Sequence, residues 1–331
     1  MTGKDIGKEH MAIAATTPVP TPNGWTLASD LRSADFVFKP RGGAQAIGSV
    51  QSYIPTECYR ATFDDGLEIV GDKHMAFALQ DRVWRLHQDL WFKGQSSKYA
   101  KRFRRQLKTK TVAELYGEDL LDNRGRKKWS LQTVSPLEYP TMDLPVPPYV
   151  LGLWLGTMER SGRHFTTGRD FNKMQKMVRQ FGFNLTRNGY HGREQFHFRP
   201  SVRESFTYAR AEIPTEIPQY YLEANVESRE LLLQGLIDAR NIKEYGKNWR
   251  VFDAWISIRR KQQLVESLGY RTNLSKNPHE TPFELVFPKK KENPALMRRF
   301  LSKIEKITPT QCVHIAVDGE FVAGEGFLAV C

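Results

Sequence analysis

Leu233-Gln234-Gly235-Leu236-Ile237-Asp238-Ala239-Arg240-Asn241 is the stretch that decides the fold, and Leu151-Gly152-Leu153-Trp154-Leu155-Gly156-Thr157-Met158 is its partner. Both are apolar runs of helical character interrupted by small residues. Gly152, Gly156, Gly235 and Ala239 let two helices approach closely, while large apolar side chains seal the faces on either side. Downstream of each run lies a second matched feature. Met177-Val178-Arg179-Gln180-Phe181-Gly182-Phe183 pairs with Leu264-Val265-Glu266-Ser267-Leu268-Gly269-Tyr270. These sit in amphipathic helices predicted over 171–181 and 260–268, each stopped by its glycine. The two features recur in the same order, 83 and 87 residues apart. That predicts one duplicated αββα-like unit with loop differences.

Upstream of the duplication, Pro136, Pro140, Pro145, Pro147 and Pro148 crowd a short connector that cannot be helical and marks a domain boundary. Before it the chain reads as short strands cut by turns. Pro20-Thr21-Pro22-Asn23-Gly24 is one turn, Lys39 to Gly43 another, and Asp64-Asp65-Gly66 a hairpin turn beside Tyr59–Phe63 and Leu67–Val70. Residues 83–88 read equally as strand or helix, and the basic run that follows as a helix or exposed arm. Thr111 caps a short helix, with Glu114 three residues on. From Gln311 to Val330 the β pattern returns, with a turn at Gly324-Glu325-Gly326.

Composition narrows the function classes. The 331 residues, 40% hydrophobic, are enough for two domains. No apolar run approaches the length of a transmembrane helix, and Met1 to His10 lacks the apolar core of a secretory signal, so no membrane partner is expected. Cys58, Cys312 and Cys331 are too few and scattered for a disulfide framework or a zinc site, which suits a reducing cytoplasm. The net charge of +12 favours polyanions. Residues 93–110 carry Lys93, Lys98, Lys101, Arg102, Arg104, Arg105, Lys108 and Lys110 and no acid; Arg124, Arg126, Lys127 and Lys128 follow. Tyr99, Phe103 and Trp129 are interleaved with them, as at phosphate-binding surfaces.

The paired motifs resemble those of LAGLIDADG homing endonucleases, and the flanks resemble the Hint fold of phage-type inteins. The flanking resemblance rests on four groups of residues: Ala12 to Thr26 with Ser29-Asp30-Leu31; Cys58 to Gly66 with Gly71-Asp72-Lys73-His74; Thr111 to Leu115 with Leu144 to Tyr149; and His314 to Asp318 with Phe321 to Leu328. It spans nearly the whole chain from Ala12 onward. The fold class implied is α+β. An all-β Hint-like horseshoe is assembled from 12–92 and 308–331, after a tail at 1–11. A basic recognition and connector region covers 93–144. A pseudo-twofold αββαββα-type LAGLIDADG domain occupies 145–307, with repeats 145–222 and 223–307.

In the resembled nucleases each motif helix ends in an acid, and the two carboxylates bind the divalent metal that drives cleavage. The corresponding positions here are Thr157 and Arg240, a poor neutral ligand and a charge of the wrong sign. Glu159 and Asp238 are offset from the ligand position. No metal is therefore expected, with Mg2+ relevant only to residual nuclease activity. Splicing needs a nucleophile, and the first intein position is Ala12. The internal cysteine of the class lacking an N-terminal cysteine falls at His314, with Cys312 two residues away. Ala76 replaces the tryptophan that usually follows the block histidine, and the stretch ends Val330-Cys331 without His-Asn. His74 is the splicing residue that survives.

These expectations add up to a nucleic-acid-binding relic, degenerate at both active sites. Its partner is double-stranded DNA, and it acts as a pseudo-symmetric monomer in a bacterial host cytoplasm. The DNA-binding set is Lys98, Lys101, Arg102, Arg104, Arg105, Lys108, Lys110, Arg126, Lys127, Lys128, Arg187, Arg193, Arg199 and Arg271, with Arg203 on the same ribbons. Two alternatives stand beside it: a domesticated subunit of a phage protein complex, and a residually active LAGLIDADG endonuclease using Glu159 or Asp238.

Overall fold

The computed structural model describes residues 11–92, 107–157, 171–190, 193–239, 242–275, 283–289 and 294–331. The chain divides into two compact units, residues 1–138 with 290–331, and residues 139–289. Among the described residues no helix is long and apolar enough to cross a membrane.

The first unit is β-rich and antiparallel. Its largest sheet has seven strands in the order Ser130–Gln132, Arg298–Ile307, Cys58–Phe63, Glu68–Asp72, Ala12–Ala14, Cys312–Ala316, Ser49–Tyr53. Ribbons surround it, and each follows from local chemistry. The Pro18–Thr21 and Gly24–Leu27 strands turn where Thr21 Oγ1 donates to the Gly24 carbonyl and accepts from Asn23 N–H, with Gly24 at φ +106°. At Asp64-Asp65-Gly66, Gly66 takes φ +80°, a conformation that favours glycine. The helix Val112–Tyr116 starts on a capping box formed by Thr111 and Glu114. Residues 82–92 are a helix, with Asp81 accepting from Trp84 N–H at its start, which settles the strand-or-helix ambiguity.

The strand Arg298–Ile307 shifts the expected boundary. The duplication predicts a second domain running to residue 307 and so including this strand, but the strand pairs with Cys58–Phe63 in the first unit. A register shift between Leu301 and Lys303 breaks its alternation, so a period of two was not visible in the sequence. It is pinned by Arg299, which forms a buried ion pair with Asp65 at 2.6 Å and donates to the Gly326 carbonyl. Residues 107–135 likewise build the first unit rather than a separate connector region: Lys108–Thr111 pairs with Ala76–Leu79, and Ser130–Gln132 with Arg298–Phe300. Residues 93–106, expected as a helix or arm, lie outside the described residues.

In the second unit the helices Pro148–Thr157 and Val226–Asp238 pack against one another at the heart of the core. The later half continues through the hairpin Ile242–Tyr245/Asn248–Asp253, the helix Trp255–Ser267 and the strands Asn273–Ser275 and Phe283–Pro288, which form one four-stranded sheet. The earlier half shows the helix Phe171–Gln180, the hairpin Asn184–Tyr190/Arg193–Arg199 and the helix Val202–Tyr208. Residues 158–170, between Pro148–Thr157 and Phe171–Gln180, lie outside the described residues. Gly182 and Gly269 stop equivalent helices at φ +76° and +87°. Arg229, fully buried, ties two helices of the later half together: Nε donates to the Ala224 carbonyl at 2.8 Å, just before its own helix, and Nη1 to the Ser267 carbonyl at 2.7 Å, at the end of Trp255–Ser267.

Candidate functional site

The strand Ala12–Ala14 is inserted between Glu68–Asp72 and Cys312–Ala316, with Ile13 opposite Gly71 and Ala12 opposite His314. Glycine is required at 71, because a Cβ there would stand 2.5 Å from the Ala12 carbonyl oxygen and 2.5 Å from Met75 Sδ. The result is a peptide bond gripped at both ends. The Ala12 N–H donates to Asp72 Oδ1 at 3.0 Å, and the Met11 carbonyl oxygen lies 2.8 Å from His314 Nδ1.

Asp72 is 1% exposed and works as a hub. Its Oδ1 also accepts the N–H groups of His74 and Met75 at 3.1 and 3.0 Å, and its Oδ2 accepts the Tyr53 hydroxyl at 2.8 Å. Burial and the adjacent carboxylate push the Tyr53 phenol well above its ordinary range, so it stays a donor. Beside the gripped bond is a cleft of about 400 Å³ whose lining includes Met11, His74, Ala76, His314, Gly319 and Cys331. Cys331 is held there by two backbone hydrogen bonds to Ala76, at 2.9 and 3.0 Å. Its thiol is pushed up to about 11 by burial and by Glu320.

Ala12, His74 and His314 are thus brought to one place. The side chain at 12 carries no nucleophile, and an imidazole occupies the position opposite it. Cys312 is fully buried, 3.8 Å from the Cys58 sulfur, and burial raises its thiol pKa; it is not part of the cleft. Asp72, Tyr53 and Cys331 were missed as site residues. The available signal was Asp72 two residues before His74, the spacing at which an aspartate caps its own turn.

In the second unit, a Cβ on Gly152 would lie 2.3 Å from the Leu232 carbonyl oxygen, and one on Gly235 would lie 2.3 Å from that of Tyr149. A Cβ on Gly156 would stand 2.5 Å from Ala239 Cβ. The four small residues therefore set the helix contact. Asp238, at the end of this pair, accepts the Tyr149 hydroxyl at 2.9 Å, Lys173 Nζ at 3.1 Å and Gln234 Nε2 at 2.8 Å. Three donors, one of them the neutralising Lys173 ammonium, engage it as a structural carboxylate. Glu159, Arg240 and the Thr157 side chain lie outside the described residues. Among the described residues no three His, Cys, Asp or Glu side chains are grouped to hold a metal ion.

The cationic residues divide. Lys98, Lys101, Arg102, Arg104 and Arg105 lie outside the described residues, as do the side chains of Arg187 and Arg193, whose backbones sit in the hairpin. Lys108 pairs with Asp81 at 3.0 Å, Lys110 with Glu118, Arg126 with Asp122 at 2.8 Å and Lys127 with Asp64 at 3.6 Å. Trp129 is flanked by the ammonium groups of Lys108 and Lys110 and donates to Glu118, so these contacts are intramolecular. Lys128 is half-buried and its carbonyl accepts from Arg85. Arg199 and Arg203 are exposed, and Arg271 is half-buried.

No family model matches the chain. Over 309 residues it is 25% identical to the replicative DNA helicase DnaB of Mycobacterium intracellulare, covering 90% of this chain and 50% of that protein. The chain thus spans about half the length of the curated relative it matches. Similar solved structures include the MchDnaB-1 intein, 30% identical over 21% of this chain and 54% of that one, with a TM-score of 0.20. The Msm DnaB1 intein splicing domain bound with zinc is 31% identical over 21% and 55%, also with a TM-score of 0.20. The gp41-1 intein is 17% identical over 37% and 75%, with a TM-score of 0.23.

Proposed function

We propose that the chain is an intein-derived protein whose first unit is a Hint-type cradle without its nucleophile, and whose second is a LAGLIDADG-type DNA-binding scaffold without nuclease chemistry. The observation that carries it is the grip on the Met11–Ala12 peptide bond. Acyl transfer at an amide needs a polarised carbonyl, a held nitrogen and a nucleophile. His314 and Asp72 supply the first two, and Ala12 withholds the third. A match to half of a longer helicase polypeptide is what an element embedded in a host protein produces.

The cradle is tested by restoring the reagent. In Ala12→Cys the new thiol attacks the Met11 carbonyl carbon, the C–N bond breaks, and the freed amine takes the proton. An added dithiol then exchanges with the thioester and releases the segment ending at Met11. Mass spectrometry of the folded variant with and without dithiothreitol reads this directly. A folded Ala12→Cys protein that stays intact with the dithiol would overturn the cradle assignment.

Duplex binding is supported by the net charge of +12, the closely packed helix pair and the exposed Arg199 and Arg203 on and after its hairpin. Its affinity should fall steeply with salt, in proportion to the phosphates neutralised. Fluorescence anisotropy on a labelled duplex measures that slope, and a flat slope would refute the DNA reading. The engagement of Asp238 weighs against the residual-nuclease alternative.

A further inference from the structure

Cys58 and Cys312 are 254 positions apart in the chain, yet their sulfurs lie 3.8 Å from each other. Both are fully buried, in a small cluster with Ala12 and the partly buried Tyr53 and Ile307. Each is the first residue of its strand. Cys58 lies opposite Asp72, and Cys312 lies opposite Ala14 and Tyr53. The two thiols therefore lie beside the groups that grip the peptide bond: Cys58 is opposite Asp72, and Cys312 is two residues before His314 on the strand paired with Ala12–Ala14. Thr310, in the connector leading to Cys312, donates its N–H to Cys58 Sγ at 3.4 Å.

We infer that Cys58 and Cys312 are a redox pair, forming a reversible disulfide by exchange with low-molecular-weight disulfides and so latching the strand ends around Ala12. The Cys58 thiolate attacks one sulfur of the small disulfide, and a small thiol leaves with a proton. Cys312 then gives up its proton and attacks the Cys58 sulfur of the mixed disulfide, expelling the second small thiol. Two protein thiols and one disulfide become one protein disulfide and two small thiols. The sulfurs must close by about 2 Å to reach bonding distance, a movement that strand termini accommodate better than strand centres. Burial makes the exchange slow and dependent on local opening. The inference stands on the thiol pair alone and does not require the cradle assignment.

The test uses the full chain incubated with oxidised glutathione, alkylated in denaturant and digested without reductant. Peptides bearing Cys58 and Cys312 should be found linked and should separate on reduction. The oxidised protein should melt about 5 °C or more above the reduced one, because the bridge closes a long loop. That difference should vanish in Cys312→Ala. The mapping itself needs no variant. Recovery of both cysteines as free thiols after Cys331 has formed its mixed disulfide would overturn the inference, as would a link from either one to Cys331.

Discussion

His314 Nδ1 and the Met11 carbonyl oxygen are 2.8 Å apart, across the strand pair in which Ala12 and His314 face each other. The contact puts an imidazole on the carbonyl of the bond whose N–H is taken by Asp72. An amide held this way is extended, fixed and dipole-aligned, and the histidine adds polarity where an acyl-transfer nucleophile would otherwise stand.

Asp72 should be among the most sensitive positions in the first unit. Asp72→Ala removes the carboxylate that accepts the Ala12 and His74 N–H groups and the Tyr53 hydroxyl, at a position that is 1% exposed, while the Met75 N–H keeps the backbone carbonyl of residue 72 at 3.2 Å. At about 1–3 kcal/mol for each buried group left without an acceptor, and with partial relief from entering water, the loss should be ~3–5 kcal/mol. Urea denaturation reads this as a lower midpoint at constant slope. Asp72→Asn keeps the volume and one acceptor oxygen, so it should fall between the variant and the native protein. A midpoint unchanged in Asp72→Ala would remove the hub from the account.

The helix contact makes a prediction about glycine. Gly152→Ala and Gly235→Ala each drive a methyl to 2.3 Å from a backbone carbonyl oxygen, which cannot rotate away. The helices must separate, costing ~3 kcal/mol or more. Gly182→Ala meets nothing within 4 Å and costs only its strained φ of +76°, about 1 kcal/mol. Thermal melts of the three variants should therefore separate into two classes. Equal losses would show that backbone strain, not helix approach, sets the price of these positions.

What was legible in the sequence was whatever rested on local pattern. Gly152, Gly156, Gly235 and Ala239 announced a close helix pair, Thr111 and Glu114 announced a cap, and Gly182 and Gly269 announced two stops. The strand at 298–307 was not legible, because its bulge destroys the alternation and its ion pair reaches back to Asp65. Asp72 belongs to a recognisable motif, but nothing local to that motif shows what it holds. Its role depends on an amide sixty residues earlier, and no spacing rule reports that. The cations Lys108, Lys110, Arg126 and Lys127 looked like a free basic surface because the acids that pair with them come from other elements or turns.

Asp238 should behave as a structural carboxylate. With Tyr149, Lys173 and Gln234 all donating to it, Asp238→Asn should cost about 1 kcal/mol, since half of the Lys173 side chain is in solvent and the ion pair is screened. Millimolar Mg2+ or Mn2+ should leave the Tm of both proteins unmoved. A metal-dependent rise in Tm that disappears in Asp238→Asn would instead make this carboxylate a ligand.

Cys331 offers a pH test of the cleft. Only the thiolate reacts with iodoacetamide, and burial together with the Glu320 carboxylate lifts this thiol from 9.0 to about 11. At pH 8 the folded protein should therefore alkylate at Cys331 about a hundredfold more slowly than the urea-unfolded chain. The rate should climb tenfold per pH unit and level off near pH 11. The sign for stability follows from the same shift. The folded state holds the thiol proton more tightly, so the contribution is complete below about pH 9 and is lost as pH rises from there toward 11. Glu320→Gln should lower the midpoint part of the way, because the charge goes while the burial stays. A folded-state midpoint near 9 would mean that Cys331 is solvated and that the cleft beside the Met11–Ala12 bond is open to bulk water.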